Sequence, residues 1–559
     1  MKSTMQDAQL TVGRILTHAV AVHPTSEVLT ATENGLRSAT FAEVGERATR
    51  LAAALRGLGI DGDQRIGTFL WNTQEHLEAY VGVPAMGAVL HTINIRISNE
   101  QLVYVVNHAE DKIVLVQDTL LDILGPVLDQ MKTVEHVVVV GPDAAVAIAG
   151  LAPRHFQAHE YEGLLSAAAS TFEWPEVNER DAAVLCYTSG TTGDPKGVAY
   201  SHRSVYLHAM ACSMADGFDI GGNDRVLPVV PMFHANAWGM PYTAMMVGAA
   251  LVLPDRFMQS DQLVRLVERS HATIAGGVPT IWSDMVARVR THGGDLSSLR
   301  VVFGGGSAVA VGLQRAMRDV CGVYMLQAWG MTETSPTALV SWPPYPEDHP
   351  AHWALRAKQG RLMNLVEARI VDDAGVELSR DGRAIGEIEV RGPYVTGSYY
   401  RVEAPDRFDD GWLRTGDLGT IDEIGFVSIS DRAKDMIKSG GEWISSVDLE
   451  SAIVGHPAVR EAAVIAIPDP RWEERPMGVV ALVDGATASP DELRGHLATQ
   501  FAKWQVPDAW TFVDQVPRTS VGKYDKKRLR QMHADGAFGP DSDVVISAEE
   551  SPAPDRDRA

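Results

Sequence analysis

Ala182–Gly197 reads AAVLCYTSGTTGDPKG, an apolar run that passes directly into glycine, serine and threonine and is closed by Lys196. The run AAVLC has the composition of a buried strand. In the loop after it, Gly190 and its fellow glycines let the backbone approach a ligand closely, while Thr188, Ser189, Thr191, Thr192 and Lys196 offer hydroxyl and ammonium donors to phosphate oxygens. The order is not that of a Walker loop, because Lys196 is followed by Gly197 where Ser or Thr is required. On composition alone an exposed turn is the commoner reading of such a segment, and a phosphate-holding loop is the reading that carries chemistry.

Working outward, further apolar runs (IVLVQ at Ile113–Gln117, HVVVVG at His136–Gly141, AALVLP at Ala249–Pro254) alternate with helix-like segments such as Phe41–Ile60. That alternation predicts an α/β fold with largely parallel strands. Beyond about residue 360 the short alternating runs ARIVD, GEIEVRG and GFVSIS predict a small β subdomain. A new unit starts at Asp431 and reads as compact α+β. The expected organisation is a large domain of layered α/β subdomains over 1–430, a small C-terminal domain over 431–534, and a disordered acidic tail over 535–559, where apolar residues are too few to build a core.

The 559 residues exceed what one core usually supports, in line with that division. A formal charge of −23 disfavours polyanions as partners, so any phosphate must be held by a locally built site. Cys186, Cys212 and Cys321 show no metal or disulfide spacing, and the amino terminus MKSTMQDAQL lacks the apolar core of a signal peptide. The apolar run Met245–Leu253 is less than half a bilayer span. These features predict a cytoplasmic protein without a transmembrane segment.

Further segments follow the loop in order: PMFHANAWG (Pro231–Gly239), GGGSA (Gly304–Ala308), QAWGMTETSP (Gln327–Pro336), WLRTGD (Trp412–Asp417), DRAKDMIKSGGEWIS (Asp431–Ser445) and PRTSVGKYDKK (Pro517–Lys527). With the loop, this ordered set resembles the signatures of the adenylate-forming superfamily of acyl-CoA synthetases, luciferases and peptide-synthetase adenylation domains. VPAMGAVLHTINIRI (Val83–Ile97) is similar to its medium- and long-chain fatty-acyl branch. The resemblance implies that a carboxylate attacks the α-phosphate of ATP, releases pyrophosphate, and is then passed as an acyl group to coenzyme A.

The same resemblance implies roles for individual residues. Glu333 is the expected Mg²⁺ ligand, a carboxylate for a hard cation, with Thr188 beside it at the metal and, together with Thr332, at the α-phosphate. In isolation Thr-Glu-Thr reads as a helix cap. Gly306, Ser307, Gln327 and Ala328 correspond to the adenine-enclosing loops, with Trp329 where the family usually has tyrosine, which keeps a stacking face and loses a phenolic hydroxyl. Asp417 and Arg432 are expected at the ribose, and Lys523 as the catalytic lysine of adenylation. Asp431 matches the hinge about which the superfamily turns a mobile small domain between two poses. Lys434 and Lys438 are expected at nucleotide or pantetheine phosphates, and Gly440, Gly441 and Trp443 along the pantetheine path.

His234 and Trp238 fall where the family lines the acyl entrance, Trp238 as a gate, with Gly277 in GGVPT leaving room for the chain. In an apolar run such a tryptophan and histidine are otherwise core residues. Chain length is not derivable, since each methylene contributes at most about 0.8 kcal/mol. A ligase for a short or sulfur-bearing acid, and an enzyme loading a carrier protein, are the competing readings. Homodimers formed through the large domain are the implied assembly.

Overall fold

The computed structural model describes the chain apart from residues 2, 152–154, 189–193, 433–434, 440–441, 484, 520–521 and 539–559, and apart from the Trp443 side chain. Two sheets carry most of the large domain. The seven-stranded one runs Gln157–Glu160, His136–Val140, Asp111–Gln117, Arg65–Phe69, Val89–Thr92, Ala182–Tyr187, Gly197–Ser201. Its neighbours are parallel except for the last pair. Val137–Val140 are buried in succession, as expected of a strand covered on both faces.

The nine-stranded sheet has a parallel core of Tyr324–Gly330, Val301–Gly304, Ile274–Gly277, Arg225–Pro228, Ala250–Leu253 and Glu27–Thr32, with antiparallel strands at its edges. The carboxyl ends of Ile274–Gly277, Val301–Gly304 and Tyr324–Gly330 deliver the segments GGVPT, GGGSA and QAWGMTET to one place, the crevice where open α/β sheets bind ligands.

The predicted helix at Phe41–Ile60 is observed as Phe41–Gly57, opened by a reciprocal capping box between Thr40 and Glu43 and burying Val44, Ala48, Leu51 and Leu55. The apolar run Met245–Leu253 divides into the end of helix Met240–Val247, a left-handed Gly248, and strand Ala250–Leu253. Among the described residues no helix is long and apolar enough to cross a membrane.

The β subdomain is a five-stranded antiparallel sheet of Glu367–Val371, Gly386–Arg391, Phe408–Asp409, Trp412–Ile421 and Val427–Arg432. After it comes the small domain, whose sheet (Ile437–Ser439, Glu442–Ile444, Val459–Asp469, Glu473–Leu482, Ala509–Phe512) is covered by helices Ser446–Val454 and Pro490–Leu497 on one face and Lys526–Ala534 on the other. Phe538 is buried in a cluster with Leu529 and Val516.

Candidate active site

Thr188 and Lys196 close the base of the glycine-rich loop: Thr188 N–H donates to Lys196 O at 2.9 Å, and Lys196 N–H donates to Thr188 Oγ1 at 3.2 Å. The loop therefore joins two antiparallel strands, Ala182–Tyr187 and Gly197–Ser201. Ser189, Gly190, Thr191 and Thr192 lie outside the described residues. The Lys196 ammonium sits 4.9 Å above the Tyr399 ring, a cation–π distance.

Tyr399 in turn donates its hydroxyl to Glu333 Oε1 at 2.6 Å. Burial and the Glu333 charge both raise the Tyr399 pKa, so the phenol stays a donor. Glu333 and Thr332 lie in a short 3₁₀ turn, fixed by Tyr200 Oη donating to Thr332 O at 2.6 Å and by Thr396 N–H donating to Glu333 O at 2.8 Å. Tyr200 and Tyr399 were not among the residues expected from the sequence. Tyr399 stands in the run SYY, which carries no periodic or spacing signal.

A cavity of about 330 Å³ brings together nine of the expected residues. Gly306, Ser307, Gln327, Ala328 and Trp329 form one wall, Asp417, Asp431 and Arg432 another, and Lys523 reaches in from the small domain. Trp329 Nε1–H donates to Asp417 Oδ2 at 2.8 Å, and Arg432 Nε lies 3.4 Å from Asp417 Oδ1. Burial raises the Asp417 pKa, opposed by Arg432, the Trp329 hydrogen bond and Lys523. Trp329 thus supplies a donor as well as a ring, beyond what replacing a tyrosine led one to expect.

Gly306 has φ +85°, and a Cβ there would stand 3.1 Å from Lys523 Cε, so the glycine admits the lysine stem. At Gly330 a Cβ would meet Pro336 O at 1.9 Å, which only glycine avoids.

His234 is half-buried, and burial together with the Lys523 ammonium lowers its pKa to about 3, leaving a neutral ring. Ala235, Asn236, Ala237 and Trp238 all have positive φ (42°, 53°, 47° and 57°), as does Gly239. Left-handed backbone costs an L-residue roughly 1–2 kcal/mol, so this buried turn is held by its surroundings. It lays the Trp238 ring against Gly305 and Gly276. A Cβ on Gly277 would stand 3.0 Å from Trp282 Cζ2, and one on Gly276 2.4 Å from Met240 Cε. The side chains of Trp282 and Met240 pack directly against these glycines.

Lys438 is also not brought to the cavity. Its ammonium pairs with Glu473 Oε2 at 3.4 Å and its N–H donates to Glu474, because strand Ile437–Ser439 joins the small-domain sheet. Lys434, Gly440, Gly441 and the Trp443 side chain lie outside the described residues. A larger cavity of about 510 Å³ between Asp61–Arg65, Pro175–Val177 and Tyr400–Arg401 is lined by none of the expected residues, and its two arginines are both tied to Glu110.

Residues 16–400 match the model of the AMP-binding enzyme family, and residues 448–523 that of the AMP-binding enzyme C-terminal domain. The chain is 43% identical to a long-chain-fatty-acid–CoA ligase of Thermus thermophilus, over 95% of this chain and 97% of that protein. It is 41% identical to a 3-methylmercaptopropionyl-CoA ligase of Ruegeria pomeroyi, over 96% and 100%. The ATP-bound crystal structure of MatB from Rhodopseudomonas palustris superposes with a TM-score of 0.78 at 26% identity, covering 94% of this chain and 99% of that one. The glycine-rich loop, the buried carboxylates and the lysine delivered by a second domain thus occur in a chain that belongs to the AMP-binding enzyme family.

Proposed function

We propose that this protein is an ATP-dependent acyl-CoA ligase that activates a fatty or similarly apolar carboxylic acid. The observation that carries the reading is the cavity in which Lys523 of the small domain faces Gly306, Asp417 and Arg432 of the large one. In the first step a carboxylate oxygen attacks the α-phosphorus of ATP, the bond to pyrophosphate breaks, and an acyl-adenylate forms. In the second the thiol sulfur of coenzyme A attacks the acyl carbon, and AMP leaves with the bonding pair. A carboxylate is a poor electrophile, and the mixed anhydride divides a hard step into two easier ones.

Adenine would lie among Gly306, Ser307, Gln327, Ala328 and Trp329, and the ribose hydroxyls would donate to Asp417 beside Arg432. Thr188, Thr332 and Lys196 would meet phosphate oxygens. Glu333 fits a divalent cation: it is buried, one oxygen is held by Tyr399, and Oε2 has no hydrogen-bond partner among the described residues. Mg²⁺ bound there would neutralise charge on the phosphates. Lys523 supplies the positive charge where the carboxylate and α-phosphate oxygens meet. Neutral His234 and the Trp238 ring would border the acid, and Asp431 would be the hinge between the two steps.

The relative named for a sulfur-bearing acid supports a second reading, a ligase for a short thioether acid. Pyrophosphate release measured with straight-chain acids of about two to eighteen carbons and with 3-methylmercaptopropionate, with and without coenzyme A, separates them, each methylene adding at most about 0.8 kcal/mol. Release with none of these acids would sink the proposal; AMP release independent of coenzyme A would favour a carrier-loading enzyme. Self-association through the large domain belongs to the same reading and rests on family resemblance; light scattering after size exclusion measures it.

A further inference from the structure

Three residues past Lys523, Lys526 opens helix Lys526–Ala534. Its ammonium lies 2.8 Å from Glu450 Oε1 and donates to Ser446 Oγ. Ser446, the first residue of helix Ser446–Val454, donates both its N–H (2.8 Å) and its hydroxyl to Asp431 Oδ2. Asp431 belongs to strand Val427–Arg432 of the large domain and is 2% exposed. A continuous chain of donors therefore runs from Lys526 through Ser446 to the carboxylate at the junction of the two domains.

A second tie lies one helical turn on, where Arg530 donates to Asp435 Oδ1, and the N–H of Asp435 donates to Arg432 O at 2.8 Å. The side chains of Lys526 and Glu450 are only 13% and 16% exposed. A buried ion pair contributes little net stability, because desolvation offsets attraction. Two apolar side chains would hold the helices together as firmly. What the charged chain adds is a fixed register between the junction and the loop that carries Lys523. Backbone bonds tie the described residues around Lys523: Thr519 N–H donates to Lys523 O at 2.7 Å and Asp525 N–H to Pro517 O at 2.8 Å. A displacement at Lys526 is therefore passed on to Lys523.

We propose that Lys526 is a positioning residue which, through Ser446, locks the Asp431 carboxylate to the small domain and thereby holds Lys523 over Gly306 for the adenylation step. The inference rests on the proposed function and assigns a residue to its first step. Because the lock acts through the position of Lys523, assigned to adenylation, its loss should weigh on the first half-reaction.

The test uses the full chain and its Lys526→Met, Lys526→Arg and Ser446→Ala variants. Exchange of labelled pyrophosphate into ATP reads the first half-reaction, and thioester formation from purified acyl-adenylate reads the second. Misplacing a catalytic group by a fraction of an ångström to an ångström costs about tenfold to a hundredfold, so Lys526→Met should lower the exchange kcat by about tenfold or more. Its KM for ATP and its thioester rate should stay within about twofold of wild type, the pattern of a group acting only in the first transition state. Lys526→Arg should recover most of the loss, and Ser446→Ala should reproduce part of it while keeping the Lys526–Glu450 pair. Equal loss in both half-reactions, or no loss in either Lys526→Met or Ser446→Ala, overturns the inference. If Lys526→Met does not fold, Ser446→Ala decides alone. Wild-type protein is assayed first: no exchange with any acid brings down the functional reading itself, whereas wild-type exchange with unaltered variants brings down only this inference.

Discussion

The indole N–H of Trp329 donates to Asp417 Oδ2 at 2.8 Å, across the cavity wall that separates two sheets. The bond gives a buried carboxylate one of its few neutral donors and leaves its remaining lone pairs directed by Arg432. A hydrogen bond to a charged group contributes about 1.5–3 kcal/mol. Trp329→Phe keeps the stacking face and removes the donor, and should raise KM for ATP about tenfold with a smaller change in kcat. An ATP dependence identical to wild type in steady-state pyrophosphate release would reduce Trp329 to a packing residue.

Tyr399 touches both the loop lysine, through its ring, and Glu333, through its hydroxyl. Tyr399→Phe keeps the first contact and deletes the second. Mg·ATP binding, followed by calorimetry, is expected to weaken roughly tenfold, the value of a charge-assisted hydrogen bond. A lower melting temperature with unchanged Mg·ATP affinity would assign the hydroxyl to stability alone.

Lys523 reaches the large domain's cavity past Gly306. Lys523→Ala should slow adenylation about a hundredfold or more, as loss of a positioned electrostatic donor does, while conversion of supplied acyl-adenylate to thioester continues. Equal damage to the two half-reactions, measured separately, contradicts that role.

Acid should unfold this protein through its histidines. Burial lowers the pKa values of His76 and His202 to about 4 and those of His208 and His234 to about 3. The unfolded chain protonates near pH 6.5 while the folded chain stays neutral, so stability is lost as pH falls through that window. Glu78 and Asp255 act the other way: burial raises them to about 7 and about 6, so the folded state keeps protons that the unfolded state gives up. The four histidines take up protons on unfolding and the two carboxyls release them, so stability is expected to fall as the pH drops from about 6 to about 4.5. Thermal melts across that range check it, and a flat melting temperature would show that these rings are hydrated.

Local chemistry was readable in the sequence alone. Valine-rich runs such as His136–Val140 declare strands because burial on both faces is a property of a few adjacent residues. The apolar spacing of the helix over Phe41–Gly57 is likewise local, and the ordered segments from Thr188 to Lys523 carried a family resemblance that implied their chemistry. Family resemblance, carried by those segments, pointed to nine residues that line the cavity.

Tertiary structure decided whatever depends on the register between distant segments. Tyr399 meets Glu333 across 66 residues, Trp329 meets Asp417 across 88, and Lys526 meets Ser446 across 80. No local period encodes those separations. The left-handed turn at Ala235–Gly239 is likewise opposed by its own residues and exists because the packing around Trp238 outweighs their backbone preference. Packing also set Met240 and Trp282, from neighbouring helices, directly against Gly276 and Gly277.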